Sequence, residues 1–298
     1  MHPDISSPGL PPVVGIIGGS GLYQIDGLEG AEWLPLSSPW GTPSDEALLG
    51  FLDGQKALFL PRHGRGHRLS PSDIDARANI DALKRAGVTE ILSLSACGSL
   101  NPDLAPGTFV IVDQFIDRTT NRSRSFFGEG CVAHVGFGHP VCGRLGDVIE
   151  AAALDLGIPV VRGGTYVVIE GPQFSTLAES NLYRSWGCDV IGMTNLPEAK
   201  LAREAELCYA TVAMITDYDC WHPDHDHVSV ETIIQVLHDN AEKARSLVRE
   251  VVPRLSDRRD SCDRGCHRTL DGAIITAPQA RDPVRLAMLG AVAGRVLR

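Results

Sequence analysis

Cys208 to Asp219 read CYATVAMITDYD. Up to Ile215 the run is apolar on odd and even positions alike, so it predicts a β-strand with protein packed against both faces. Strands of that kind belong to α/β folds, in which helices cover the sheet. The pattern recurs in PVVGIIGG (12–19), KALFLP (56–61), EILSLSACGS (90–99), TFVIVDQFI (108–116), PVVRGGTYVVIEG (159–171) and DVIGMT (189–194). Amphipathic segments fall between: DIDARANIDALKRAG (73–87), stopped by Gly87, then GRLGDVIEAAALDLG (143–157), LAESNLYRSWG (177–187) and LPEAKLAREAEL (196–207). A long helix is expected over about 230–255, with apolar residues at three-and-four spacing and an end near Pro253. The alternation predicts an α/β fold with a largely buried sheet, and no shift in composition divides it before that helix.

With 298 residues, 43% hydrophobic and 21% charged, the chain has the makeup of an ordinary globular protein. A net charge of −10 excludes a general nucleic-acid binder, which needs a Lys/Arg stripe, so any anion site must be local. The longest apolar runs are broken by Ser and Gly short of a bilayer span, and no transmembrane helix is expected. Residues 1–12 lack the basic and apolar regions of an export signal and read as a flexible Pro-rich tail on a cytoplasmic protein. Most of the eight cysteines sit in apolar segments and read as buried thiols. In SDRRDSCDRGCHR (256–268), Cys262, Cys266 and His267 lie close together. Zinc sites generally need a second ligand pair and none stands out, so a local disulfide or two idle thiols are expected there rather than a metal.

Several of the strands end in groups that can bind or react. GIIGGSGLYQ (15–24) runs into Gly18, Gly19, Ser20 and Gly21, whose backbone and hydroxyl can approach an anion. Its spacing fits neither a dinucleotide fingerprint nor a Walker loop, and a tight turn with no ligand reads equally well. LPRHGRGHRLSP (60–71) places Arg62, His63, Arg65, His67 and Arg68, five cationic or titratable groups in seven positions, at the end of another strand. On an acidic protein that predicts an anion the size of phosphate, gripped by Arg; a solvated basic loop is the alternative. LSLSACGSL (92–100) delivers Ser95 and Ala96 to a glycine turn that could complete the same cradle or be core alone. Phe174 could stack on a planar ligand, Met193 could lie under a sugar and Thr194 could bond a hydroxyl or an anion, although plain packing accounts for Phe and Met as readily. Asp217 and Asp219 close the opening strand, with Trp221 beside them and HPDHDH (222–227) after. Three readings stand open: a divalent-metal site, a solvated loop, or a carboxylate pair that reads and protonates a small molecule.

Taken in order from about Val13 to Leu255, the motifs GIIGGSGLY, PRHGRGHRLSP, ANIDALKRAGV, LSACGSL, FIDRTT, EGPQFST, GMTNLPEAKLAREAELCYA and MITDYDCW resemble the trimeric purine nucleoside phosphorylases. The resemblance implies a central mixed, partly closed β-sheet flanked by helices. It implies a phosphorylase domain over 13–255 and a C-terminal extension, 256–298, packing on the same domain or a neighbouring subunit. It also implies phosphorolysis: inorganic phosphate, the co-substrate, cleaves the N-glycosidic bond of a purine nucleoside to a free base and a sugar 1-phosphate, with no metal and no organic cofactor. Carried over motif by motif, the phosphate contacts fall on Ser20, Arg62, His63, Ser95, Ala96 and Thr194, the sugar near Met193, and the base beside Phe174. Asp217 would share a proton with N7 of the departing purine, and Asp219 would accept from the exocyclic amino group of adenine. Val230, Ile233 and Ile234 would line an apolar pocket for the 5' substituent, with His134 reaching across from a neighbouring subunit. The implied assembly is a homotrimer or a dimer of trimers, whose partners are a nucleoside and phosphate, with neither nucleic acid nor membrane.

A carboxylic acid donates to N7 only when protonated, so partial burial and a neighbouring carboxylate should raise the pKa of one member of the pair. The family's oxopurine members carry Asn where this chain has Asp217, and Glu after the Phe of GPxF, where it has Ser175. Both differences favour a 6-aminopurine, and the motifs lie nearest to members that convert 5'-methylthioadenosine to adenine and 5-methylthioribose 1-phosphate. The rivals are a broader enzyme acting on adenosine, inosine or methylthioinosine, a nucleosidase using water, and a non-catalytic metal-binding protein built on HPDHDH. Ser20 and Ser95 stand where the nearest members often have Thr, which keeps the hydroxyl and loosens its rotamer. HPDHDH reads as a solvated lid ahead of a metal site. The segment with Cys262 and Cys266 is similar to tails of some microbial relatives that carry a cysteine pair.

Overall fold

The computed structural model describes residues 13–19, 21–22, 25–223, 230–255 and 262–297, without the side chains of 230–234. Among the described residues one mixed sheet holds β1 (Val13–Gly18), β2 (Glu29–Leu34), β3 (Ala47–Leu52), β4 (Gln55–Pro61), β5 (Val88–Ser99), β6 (Phe109–Ile111), β7 (Gln114–Arg118), β8 (Val160–Arg162), β9 (Thr165–Ile169), β10 (Val190–Gly192) and β11 (Cys208–Asp217). The helices are α1 (Ala76–Arg85), α2 (Gly143–Asp155), α3 (Leu177–Ser185), α4 (Glu198–Glu204), α5 (Val230–Arg254), α6 (Pro283–Met288) and α7 (Gly290–Leu297).

The long strand β5 is the hub. It pairs in parallel with β1 along one edge, as far as Ile17 against Ser93, and with β11 along the other, from Cys208 against Glu90 to Asp217 against Gly98. Beyond the reach of β1, Gly98 and Ser99 turn to pair antiparallel with β10. Two arms therefore leave β5, one running through β10, β9 and β7, the other through β11, β6 and β8. The far ends of the arms meet. Residues 108–116 and 159–171, each expected as a single strand, are each split in two, because β6 and β8 pair in one arm while β7 and β9 pair in the other. The bends fall at Asp113 and at Gly163 and Gly164, whose φ of 87° and 138° favour glycine. Asp113 Oδ1 accepts the Gly164 amide at 3.1 Å and locks the two corners together. The result is the mixed, partly closed sheet.

Burial follows the two-residue period of a strand covered on both sides. In β11, Tyr209, Ala213 and Ile215 enter one core while Cys208, Ala210, Val212 and Met214 enter the other. The first core is closed by Leu83 of α1, Leu201 of α4 and Val292 of α7; the second by Ile149 of α2 and by Val248 and Val251 of α5. Helix α1 starts where the Asp75 carboxylate accepts the Ala78 amide at 3.0 Å, and Lys84 and Arg85 in its last turn suit the negative end of the helix dipole. Residues 262–297 pack on the same body: Leu270, Leu289 and Val292 are fully buried, and Glu206 accepts the Leu270 amide at 3.0 Å while pairing with Arg295.

Candidate active site

The C-terminal ends of β1, β4, β5, β10 and β11 converge on a cavity of about 400 Å³. Around it lie Arg62, His63, Ser95, Ala96, Phe174, Met193, Thr194, Asp217 and Asp219, residues scattered over the chain that the sequence had singled out. Ser20 falls outside the described residues, as do the side chains of Val230, Ile233 and Ile234 and all of HPDHDH after Pro223. His134 does not line the cavity; its amide donates to Ala273 O at 2.9 Å, beside the bridge between Ala133 and Ile274.

One end is cationic. Arg62 is only 3% exposed, and its guanidinium spans Glu198 (Nε to Oε2 3.1 Å, Nη2 to Oε1 3.3 Å), Leu94 O (2.8 Å), Ile17 O (3.3 Å) and Ser93 Oγ (2.6 Å). Glu198 receives Ser93 Oγ and Tyr209 Oη as well, each at 2.7 Å. Burial would raise the Glu198 carboxyl, but the Arg62 charge and these hydrogen bonds overcome it and hold the group below the usual range. Next to Arg62, burial and that same positive charge push the His63 imidazole down to about 4. It is neutral at pH 7. With Nδ1 at 3.0 Å from Leu69 O, the proton must sit on Nδ1, leaving Nε2 as an acceptor. Thr194 Oγ1 is buried beside Tyr166 and, among the described residues, lacks a well-formed hydrogen bond, so its hydroxyl can turn to a ligand.

The basic cluster after β4 is only partly delivered here. Arg62, His63 and His67 line the cavity, and the two imidazoles stack at 4.2 Å. Arg65 turns outward to Asp45 and Glu46, each at 2.8 Å, and over Trp33, while Arg68 donates to Ser44 O at 2.5 Å. The anion reading of five groups thus reduces to the subset that faces the cavity, because acidic neighbours on the β3 side neutralise the others.

The opposite end is carboxylate. Asp217 Oδ1 accepts the Asp219 amide at 2.8 Å and Oδ2 lies 2.6 Å from Thr216 Oγ1, which itself reaches Cys97 O at 3.2 Å. Burial, reinforced by the Asp219 charge, raises the Asp217 carboxyl above its usual range. Asp219 sits at φ 53°, a left-handed turn that brings it back over Asp217, and both its oxygens face Ser175 Oγ at 3.0 and 2.8 Å. Gly98 leaves room for the pair: a Cβ there would stand 2.9 Å from Asp217 Oδ1 and 3.4 Å from the Asp219 Cβ. Trp221 steadies the turn by donating to Ser99 O at 2.7 Å, with the Arg184 guanidinium stacked 3.7 Å over its ring.

Met193 and Thr194 form the wall between the two ends. Arg122 holds that wall, donating to Met193 O (2.7 Å), Leu196 O (2.8 Å) and Glu170 O (2.8 Å). Phe174, 76% exposed, stands at the rim. Glu198, Thr216 and Arg122 were not among the sequence candidates, because each acts on a neighbour; Glu198 and Thr216 lie inside motifs that were read for other residues, and the one available signal was that an Arg predicted at a buried strand end requires a carboxylate partner.

Among the described residues one cluster could hold a metal ion, and it is elsewhere: Cys142, Cys208, Cys262 and Cys266, with all sulfurs within 4.8 Å of one another. None of the four lines the cavity. The expectation that Cys262 and Cys266 lack a second pair is corrected here, since folding brings Cys142 and Cys208 to them from far along the chain.

Residues 13–253 match the model of the Phosphorylase superfamily. The S-methyl-5'-thioadenosine phosphorylase of Rhodospirillum rubrum is 66% identical over 286 residues, covering 96% of this chain and 97% of that one. Its counterpart of the same name in Cereibacter sphaeroides is 62% identical over 96% of this chain and 99% of that one. Among solved structures, a methylthioadenosine phosphorylase sourced from an antarctic soil metagenomic library superposes with a TM-score of 0.89 at 44% identity, over 95% of this chain and 99% of that one. Methylthioadenosine phosphorylase from Schistosoma mansoni in complex with adenine gives 0.80 at 34% identity, over 88% and 98%.

Proposed function

We infer the reaction from the premise that this chain belongs to the phosphorylase superfamily: it is a pentosyltransferase that cleaves 5'-methylthioadenosine with inorganic phosphate, giving adenine and 5-methylthioribose 1-phosphate. The observation that carries the assignment of its parts is the polarity of one cavity, with a locked cation at one end and a carboxyl of raised pKa at the other. A space of about 400 Å³ suits a nucleoside with a phosphate beneath its sugar.

In this reading Arg62, His63, Ser95, the Ala96 backbone, Thr194 and Ser20 receive the phosphate. The neutral His63 offers a lone pair at Nε2, which a protonated phosphate oxygen can satisfy by donating, while Arg62 and Thr194 Oγ1 donate to the others. As the bond from C1' to N9 lengthens, positive charge grows on the sugar and negative charge on the purine. Protonated Asp217 gives its hydrogen to N7, ionised Asp219 accepts from the 6-amino group, and a phosphate oxygen closes on C1'. The electron pair of the broken bond leaves with adenine. Positioning and charge placement supply the rate, and the chemistry calls on neither a metal nor an organic cofactor.

Leu237 and Ala241 of α5 reach the cavity. Val230, Ile233 and Ile234 precede Leu237 by seven, four and three positions on that helix, the spacing of one face, which supports their assignment to the 5'-methylthio pocket. The exposed Phe174 suits an assembly in which a second subunit closes the rim, bringing its His134 to the sugar; we read the assembly as a homotrimer, with a dimer of trimers as the alternative, in the cytoplasm. No described helix is long and apolar enough to cross a membrane. Base release from methylthioadenosine, adenosine and inosine, each with and without phosphate, tests the reading, and light scattering tests the assembly. Methylthioadenosine should be cleaved fastest and only with phosphate. Preference for inosine would overturn the roles of the aspartates, and release without phosphate would overturn the anion corner.

A further inference from the structure

Far along β11 from Asp217, the structure assembles four thiols from three separate parts of the chain. Cys208 opens β11, Cys142 is the N-cap of α2, and Cys262 and Cys266 begin the C-terminal extension. They are 7%, 1%, 7% and 1% exposed, sealed within the core that α2 and α5 cover. We propose that Cys142, Cys208, Cys262 and Cys266 form a closed tetrathiolate site for a tetrahedral divalent metal, zinc in the first place, which clamps the C-terminal extension to α2 and β11.

Four sulfurs set tetrahedrally about zinc at roughly 2.3 Å stand about 3.8 Å apart. Here all the separations are within 4.8 Å, and Cys142 Sγ to Cys262 Sγ is 3.6 Å. Two disulfides would each need a separation near 2 Å within a pair but would place no demand on the distance between pairs. Mutual clustering of all four is what a single ion requires. Cys262 and Cys266 are separated by three residues, within the spacing usual for paired zinc ligands. The turn between them is a tight knuckle: Gly265 sits at φ 63°, its amide donates to Cys262 O at 2.9 Å, and the Arg268 amide returns to Gly265 O at 2.9 Å. The opposing ligands stand on rigid elements that are tied to each other, since the Cys142 amide donates to Tyr209 O at 2.8 Å.

Charge balance also fits. Binding would release the thiol protons to solvent and leave two net negative charges on the metal and its four thiolates. Cys142 caps α2, a helix of 13 residues, without any side-chain hydrogen bond to its amides, so the positive end of the helix faces the cluster. Arg203, itself 6% exposed, brings Nη1 to 3.7 Å from Cys266 Sγ. That guanidinium is an outer group of the kind that a buried anionic metal centre recruits.

The test uses the full-length, untagged protein, purified with a mild reductant and no chelator. Elemental analysis should find one zinc or iron per chain, released when a mercurial blocks the thiols. Cobalt loaded in its place should show the intense d–d and charge-transfer absorption of a tetrahedral tetrathiolate. Cys266→Ser should lose the metal and unfold at lower temperature, while turnover well below that temperature is unchanged, since no cysteine of the cluster lines the cavity. Metal-free wild-type protein would overturn the proposal whether its thiols prove free to alkylation or, by mass under denaturing conditions without reductant, joined as two disulfides. The wild-type measurements decide the matter even if the variant fails to fold.

Discussion

The two ends of the cavity handle charge in opposite ways. Arg62 is buried and bound on every nitrogen, with Glu198 as its permanent counter-ion and Ser93 and Tyr209 bracing that counter-ion in turn. Asp217 is also largely withdrawn from water, yet its nearest charged neighbour is another carboxylate and its hydrogen bonds come from one hydroxyl and one amide. A charge that must persist through a reaction is paired, and desolvation then fixes it. A charge that must appear and vanish is left unpaired, and desolvation then keeps the proton at hand.

The sharpest way to break that contrast is Asp217→Asn. The amide preserves the acceptor for the Asp219 amide and can donate to Thr216 Oγ1, which passes its own hydrogen to Cys97 O, so the turn should survive. Turnover of methylthioadenosine should fall by ~10²–10⁴, the scale of losing an aligned acid. Stability should not fall. Because the folded state raises the pKa of Asp217, stability is lost as pH rises from the unfolded value through the folded one, and Asn abolishes that loss. Thermal melts at neutral pH should therefore place the variant level with the parent or above it.

Glu198→Gln attacks the paired end and should invert the pattern. It leaves Arg62 charged, buried and unbalanced, which costs on the order of 3–5 kcal/mol. Urea unfolding should register most of that loss. In whatever fraction folds, the KM for phosphate should rise more than kcat falls, because the guanidinium is free to tilt. A variant with parental stability would show that the other acceptors, Leu94 O and Ile17 O, suffice.

The contrast explains what could be read from the chain and what could not. Residues 208–219 announced both the covered strand and its acidic end because burial on two faces and a break in apolarity are one-dimensional patterns. The edge strand β2 carries no such pattern, with Glu29 to Glu32 exposed, and was not expected; β3, mostly buried between β2 and β4, was not expected either. The splits of 108–116 and 159–171 depended on which arm each half joins, a long-range choice made at Asp113 and Gly164. The same limit applies to partners. Glu198 is one acid in an amphipathic helix until Arg62, 136 positions away, closes on it, and Cys142 and Cys208 look like idle core thiols until the extension arrives.

A smaller effect is expected from Ser175→Ala. Ser175 Oγ bridges both Asp219 oxygens, and under the proposed reaction it would orient this carboxylate toward the base. Losing one hydrogen bond to a charged group, worth about 1.5–3 kcal/mol, should lower kcat/KM for methylthioadenosine by roughly ten- to a hundredfold. The ratio of methylthioadenosine to methylthioinosine cleavage should shrink with it. An unchanged ratio would separate Ser175 from base selection and leave it a packing residue.

The smallest change tests His63, which belongs to the paired end yet is held neutral. Its pKa drops from the usual 6.5 to about 4, so between those values the unfolded chain binds a proton that the folded protein refuses. Stability must then rise with pH across that window and be lost as pH falls through it. His63→Gln keeps a donor for Leu69 O and cannot titrate, so it should flatten the stability profile between about 4 and 6.5 and leave it unchanged above. Phosphate should act the other way in the parent. An anion beside the ring favours imidazolium, so saturating phosphate should shift the acid limb of unfolding to lower pH, and in the glutamine variant that shift should shrink. If both proteins respond to phosphate alike, His63 does not touch it, and the anion is held by Arg62 and the hydroxyls alone.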